Sequence, residues 1–155
     1  MTAFLLSTRI NGRPVAVAIE PQETLAEVLR ERLHLTGTKV SCDVQVCGAC
    51  TVLVDGLPVS ACTLLAYETR GRDVLTIEGV SEAAGGLDPL QQAFVEENGF
   101  QCGFCTPGMI LAARSLLESQ PDADEEEIRA YMDGNICRCT GYRPILAAIR
   151  RAQSA

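Results

Sequence analysis

The chain opens on two apolar, β-prone runs, residues 3–10 (AFLLSTRI) and 15–20 (VAVAIE), joined by Asn11-Gly12-Arg13-Pro14. Asn-Gly between such runs suits the left-handed dihedrals of a tight turn, so the runs are expected to pair as a hairpin. From Thr24 the period lengthens. Leu25, Val28, Leu29, Arg32 and Leu33 share one helical face, and Gly37 is expected to close that helix. Residues 38–50 have no period and read as a loop. Thr51-Val52-Leu53-Val54 and Leu57-Pro58-Val59 flank Asp55-Gly56 as a second hairpin, and Val74-Leu75-Thr76-Ile77 reads as a further strand. Strands, one crossing helix and more strands imply an α+β sheet domain over residues 1–80, with the loop at one edge.

The composition then shifts. Ser81-Glu82-Ala83-Ala84-Gly85-Gly86 reads as a linker over residues 81–86, and every signal in residues 87–155 is helical. Asp88-Pro89 supplies an N-cap and a proline at the first helical position, with Gly99 closing that helix. Thr106-Pro107 starts a second helix through Met109, Ile110, Ala113, Leu116 and Leu117. Asp124 and Glu127 form a capping-box pair ahead of Ile128 to Met132, with Gly134 beyond the end. Pro144 begins a last helix through Leu146, Ile149 and Arg150. The second domain is therefore expected to hold four helices.

Two cores of about 75 residues each are marginal without help. Aromatics are only 5% of the chain and Trp is absent, so Leu, Val, Ile and Ala must fill both. A net charge of −7 argues against a nucleic-acid partner, which demands a basic footprint. The acidic run Asp122, Asp124, Glu125, Glu126 and Glu127 reads as a solvated helix start. No charged and apolar leader opens the sequence, and no apolar run reaches membrane-spanning length, so a cytoplasmic protein without a membrane span is expected.

Eight cysteines change the picture. Cys42, Cys47 and Cys50 follow C-x4-C-x2-C with Cys62 further on, the spacing of a plant-type [2Fe-2S] site. Cys102 and Cys105 form C-x2-C just before one helix; Cys137 and Cys139 form C-x-C just before another. Each unit delivers two thiolates to a helix start, where free N–H groups and the positive dipole end favour negative charge. Gly48 and Ala49 let amides point at sulfur in the first loop, and Gly103, Gly108 and Gly141 are expected to permit close backbone approach in the second. Disulfides are an alternative that the missing leader and the tight C-x-C oppose. Structural zinc is an alternative for the second set, since paired C-x2-C units bind it. His34, the only histidine, reads as a surface or capping residue, and Met109 and Met132 as core. No Ser/His/Asp set, phosphate loop or dinucleotide fingerprint is present.

The motifs Cys42 to Cys50 with Thr51-Val52-Leu53-Val54-Asp55-Gly56, Gln101-Cys102-Gly103-Phe104-Cys105-Thr106-Pro107-Gly108 and Cys137-Arg138-Cys139-Thr140-Gly141-Tyr142 resemble the small iron–sulfur subunit of the molybdenum hydroxylases, the xanthine oxidase family. This family includes aerobic carbon monoxide dehydrogenase and dehydrogenases of N-heteroaromatics. The resemblance implies a plant-type ferredoxin-like β-grasp domain and a four-helix domain, each with one [2Fe-2S] cluster. It also implies a large molybdopterin subunit and a medium FAD subunit as partners, in a heterotrimer or a dimer of heterotrimers. Electrons would pass from the pterin through the helical-domain cluster, then the ferredoxin-type cluster, to FAD. By the same resemblance Gln101 hydrogen-bonds the pterin and Cys139 is the ligand nearest to it. Ser41 and Val44-Gln45-Val46 depart from the pattern, since many members carry glycines there. A free-standing two-cluster carrier and a zinc-stapled interaction protein are the rival readings.

Overall fold

The computed structural model describes residues 3–81 and 85–154. The expected linker falls partly on residues 82–84, outside the described residues. The first half is a mixed five-stranded sheet with strand order β2-β1-β5-β3-β4. Its strands are β1 (Phe4–Ile10), β2 (Arg13–Ile19), β3 (Thr51–Val54), β4 (Leu57–Ser60) and β5 (Asp73–Leu75). β1 runs parallel to β5, and every other pairing is antiparallel. Both hairpins turn on left-handed pairs, Asn11 (φ 51°) with Gly12 (φ 76°) and Asp55 (φ 51°) with Gly56 (φ 82°), as the primed turns require.

The crossing helix differs from expectation at its end. It begins as α1 (Leu25–Glu27) under a Thr24–Glu27 capping box, then widens into a π-helical stretch over Val28–Arg32. Leu33 N–H bonds back to the Val28 carbonyl, and His34 turns left-handed at φ 56°. The helix therefore stops at Arg32, not at Gly37. Gly37 serves a different purpose: a Cβ there would lie 2.2 Å from Ile77 Cγ2, while its N–H donates to Glu78 Oε1 at 2.8 Å. The last strand is also shorter than expected. Thr76 N–H donates to the Asn11 side chain at 2.9 Å instead of a ladder partner, and Ile77–Gly79 coils into a 3₁₀ turn.

The second half holds four helices, as expected: α2 (Pro89–Glu96), α3 (Thr106–Ser119), α4 (Glu125–Met132) and α5 (Arg143–Gln153). Asp88 caps α2 and Asp124 caps α4, each with the reciprocal bond from the third residue. The left-handed C-terminal residue of α2 is Asn98 (φ 53°); Gly99 follows because a Cβ there would press on Phe94 at 2.8 Å. Among the described residues no helix is long and apolar enough to cross a membrane.

β3 joins the halves. All four of its residues are buried, because both of its faces are covered. Val52 and Val54 pack with Ile10, Leu25, Leu29 and Val74 under the crossing helix, whereas Leu53 packs with Met109, Ala112 and Leu116 of α3. Ser115 Oγ, on the same helix, donates to the Gly56 carbonyl at 2.9 Å. The β-grasp unit and the helical unit thus share a core strand. Asn11→Ala should cost about 2 kcal/mol in chemical denaturation, because it loses a left-handed-tolerant residue and two side-chain bonds to Thr76.

Candidate metal centres

The first cysteine loop follows the crossing helix and runs without repetitive structure to β3, which starts one residue after Cys50. Val46 and Cys47 N–H groups each donate to Cys42 Sγ at 3.4 Å. To direct those amides inward the loop takes left-handed dihedrals at Asp43 (φ 57°), Gln45 (φ 59°) and Gly48 (φ 67°). Asp tolerates that region, and Gln does so at a cost of about 1–2 kcal/mol. Gln45, one of the residues read as departing from the resemblance, therefore stands on glycine-like backbone. Gln45 gains a compensating contact, accepting from Thr63 Oγ1 at 3.1 Å beside Cys62. Cys62 is brought back under the loop by β4, and Ala61 N–H donates to the Cys50 carbonyl at 3.3 Å.

In the second set, Cys105 is the residue before α3, as expected. Cys137 and Cys139 are held differently from expectation, by a turn ahead of α5 rather than by its N-terminus. Thr140 N–H donates to Cys137 Sγ at 3.4 Å, the Thr140 hydroxyl lies 3.2 Å from the same sulfur, and Cys137 N–H donates to Tyr142 Oη at 3.0 Å. Gly141 (φ 67°) and Tyr142 (φ 68°) then reverse the chain into α5. Gly108 also differs. It admits the other unit's backbone, not a sulfur: a Cβ there would sit 2.3 Å from the Gly48 carbonyl oxygen.

The eight thiols gather two by two. Cys139 and Cys102 Sγ atoms are 3.7 Å apart, and the Cys137 thiol acts electrostatically on Cys105. In the first set the Cys62 and Cys47 thiols raise Cys50, and Cys47 also acts on Cys42. One pair of each set is more open to solvent: Cys102 and Cys139 are exposed against half-buried Cys105 and buried Cys137, and Cys42 and Cys47 are half-buried against buried Cys50 and Cys62. Among the described residues no three His, Cys, Asp or Glu side chains converge as a single metal ion would require. Four thiols in each set match the four protein sulfurs that two bridged irons take, two on each iron.

The electrostatics follow the pairing. The N–H groups of Val44, Val46 and Cys47 hold the Cys42 thiol down to about 6. Burial pushes Cys50 up to about 11 and Cys105 up to about 12, each raised further by its paired thiol. The Cys102 thiol raises Cys139. Burial raises Cys137 too, but bonds from Thr140 and the Cys139 amide outweigh it and leave the thiol below its ordinary value. A metal-loading protein must deprotonate all four sulfurs, so each set combines a ready thiolate or a lowered thiol with thiols that surrender protons only to metal.

A cluster-sized anion also answers an orphan. The Thr106 hydroxyl, one residue after Cys105, is shut from solvent and has no hydrogen-bond partner. An unpartnered buried hydroxyl costs about 1–3 kcal/mol, and a sulfur-rich anion beside Cys105 supplies the acceptor. The donor set fits an iron–sulfur centre. Sequence reasoning passed over Thr106 and Asn135; a polar residue one or two places from a cysteine was the available signal.

Sulfur pairs on a β-grasp loop and at the turns of a helical unit define an iron–sulfur protein. The comparisons agree. A 2Fe-2S iron-sulfur cluster binding domain matches residues 8–74, and a [2Fe-2S] binding domain matches residues 76–150. The nicotinate dehydrogenase small FeS subunit of Eubacterium barkeri is 45% identical over 98% of this chain and 96% of its own length. The nicotine 6-hydroxylase small subunit of Paenarthrobacter nicotinovorans is also 45% identical, over 93% of this chain and 86% of its own. The crystal structure of quinoline 2-oxidoreductase from Pseudomonas putida 86 contains a chain that superposes with a TM-score of 0.95 at 43% identity, covering 99% of this chain and 95% of that one. The aldehyde oxidoreductase of Desulfovibrio gigas superposes at 0.92, where this chain spans 17% of a longer one. The chain belongs to the small [2Fe-2S] iron–sulfur subunits of the molybdenum hydroxylases, the xanthine oxidase family.

Thr106→Val tests the orphan. In the metal-free chain the substitution should leave thermal stability unchanged or raised, since no bond is lost. In the loaded protein it should lower the reduction potential of one centre and leave the other unmoved, read by potentiometric titration.

Proposed function

We propose that this chain relays electrons between two partner subunits of a molybdenum hydroxylase and carries out no substrate chemistry itself. Cys102, Cys105, Cys137 and Cys139 hold one [2Fe-2S] cluster, and Cys42, Cys47, Cys50 and Cys62 hold the other. These clusters supply one-electron acceptor and donor chemistry. The chain's own residues fix their places, exclude water from the inner sulfurs and aim amides at the outer ones. The helical unit faces a molybdopterin on a large partner subunit, and the β-grasp unit faces FAD on a medium partner subunit. Eight thiols kept for metal suit the reducing cytoplasm.

The observation that carries the reading is that in each sulfur set two cysteines are more open to solvent than the other two, with the two units joined in between. Apolar side chains surround the open pairs. Phe100 and Phe104 are 41% and 45% exposed beside Cys102, and Val44 and Val46 are 64% and 60% exposed between Cys42 and Cys47. Lone apolar side chains are ordinary on a surface, but rims around redox thiols suit covering by another chain. Gln101 is exposed and its Nε2 donates to the Cys139 carbonyl at 3.0 Å, so its side-chain oxygen would be the group offered to a pterin edge. The residue thereby links a pterin contact to the ligand nearest it. Domain limits of 1–80 and 87–155 belong to the same proposal.

Electron paramagnetic resonance of the dithionite-reduced complex, with metal and flavin analysis, tests this. Two distinct rhombic [2Fe-2S] signals are expected alongside molybdenum and flavin in stoichiometric amounts. Cys105→Ser or Cys137→Ser should remove or alter one signal, spare the other and stop substrate electrons reaching flavin. A colourless zinc-containing chain, or a chain purified without pterin and flavin partners, would overturn the reading.

A further inference from the structure

The two cysteine sets meet at one seam. Ile136 N–H donates to the Cys47 carbonyl at 2.8 Å, so the residue before Cys137 bonds directly to a cysteine of the other set. Beside it, Asn135 Nδ2 donates to the Gly48 carbonyl at 3.0 Å and to Thr51 Oγ1 at 3.3 Å. Asn135 is only 7% exposed. The seam is too tight for side chains at two further positions. A Cβ on Gly48 would lie 2.6 Å from Asn135 Nδ2 and from the Gly134 carbonyl, and a Cβ on Gly108 would meet the Gly48 carbonyl.

The Gly48 carbonyl does not depend on Asn135 for satisfaction. It already accepts from Thr51 N–H at 3.1 Å and from Thr51 Oγ1 at 2.7 Å. The Asn135 donor is therefore dispensable to the β-grasp loop on its own, and what it adds is a bond between units. Three oxygen or hydroxyl groups from one unit converge with two amide donors from the other; Gly48, Thr51 and Asn135 are buried, Cys47 is half-buried and Ile136 is exposed. A buried, charge-neutral amide bridge of this kind holds two backbones at fixed separation.

We infer that Asn135 is a positioning residue for electron exchange between the two centres. It locks the Cys47–Gly48 backbone against Ile136–Cys137, and so keeps the Cys47 carbonyl to Ile136 amide bridge as the shortest bonded route between the sulfur sets. The inference rests on the proposed relay. It adds that the separation and coupling of the centres are set by a side chain that ligates neither.

The test uses the assembled complex and three variants: Asn135→Leu, which keeps the branched side-chain shape and removes the donor, and Asn135→Ser and Asn135→Ala, which shed volume. Paramagnetic resonance of the fully reduced complex reads both the signals and the magnetic splitting between them. Freeze-quench after substrate addition reads how fast the second centre to be reduced follows the first. Both signals should persist in Asn135→Leu, while the splitting collapses and the second reduction slows; the potential of the Cys42–Cys62 centre should also shift, although its ligands lie in the other unit. Unchanged splitting and unchanged kinetics in a fully loaded variant would overturn the inference. So would an effect confined to the centre of Cys137, or failure of all three variants to load either centre, since each would mark a local structural role. Absence of two [2Fe-2S] signals from the wild type is a separate outcome and would sink the relay itself.

Discussion

Every part of this structure serves to hold thiols close together in pairs that water and charge would otherwise drive apart. Two thiolates in contact repel, and burial raises the cost of ionising either. The chain meets this with directed donors. Three amides converge on Cys42, and a hydroxyl with two amides converges on Cys137. Those donors demand unusual backbone, which explains the left-handed Asp43, Gln45, Gly141 and Tyr142. Strain of this kind persists only where the surroundings over-determine it. The surroundings here are β3 on one side and α3 on the other, both buried.

The same requirement accounts for the shape of the molecule. β3 begins beside Cys50 and α3 beside Cys105, so the strand and helix that pack on each other also anchor one cysteine of each set, buried Cys50 and half-buried Cys105. Leu53 against Met109 and Leu116, with Ser115 on the Gly56 carbonyl, ties the rigid elements. The seam of Asn135, Ile136, Gly48 and Gly108 ties the loops. Packing and the joining of the two sulfur sets are thus one arrangement, and the proposed relay would need no moving part.

Much of this was legible in the residues. Period changes marked the strands and the four helices, Asn-Gly and Asp-Gly marked both hairpins, and cysteine spacing separated the two sulfur sets. What escaped has a common cause: it depends on approach between distant segments. The crossing helix ended early because His34 turned left-handed and Leu33 bonded five residues back, neither of which hydrophobic period encodes. The final strand shortened because the Asn11 side chain captured Thr76. Gly108 looked like a sulfur neighbour by sequence proximity, yet its space is taken by the Gly48 carbonyl. Asn135 offered only its nearness to Cys137 as a local signal, since its partners lie 84 and 87 residues away.

The central claim is that paired sulfurs hold two bridged iron centres. X-ray absorption at the iron edge of the oxidised, intact complex tests it most directly. The account predicts iron in an all-sulfur first shell with one iron neighbour at a short bridged distance, and no zinc in sulfur coordination. Iron without an iron neighbour, or zinc in a four-sulfur shell at either set, would contradict it.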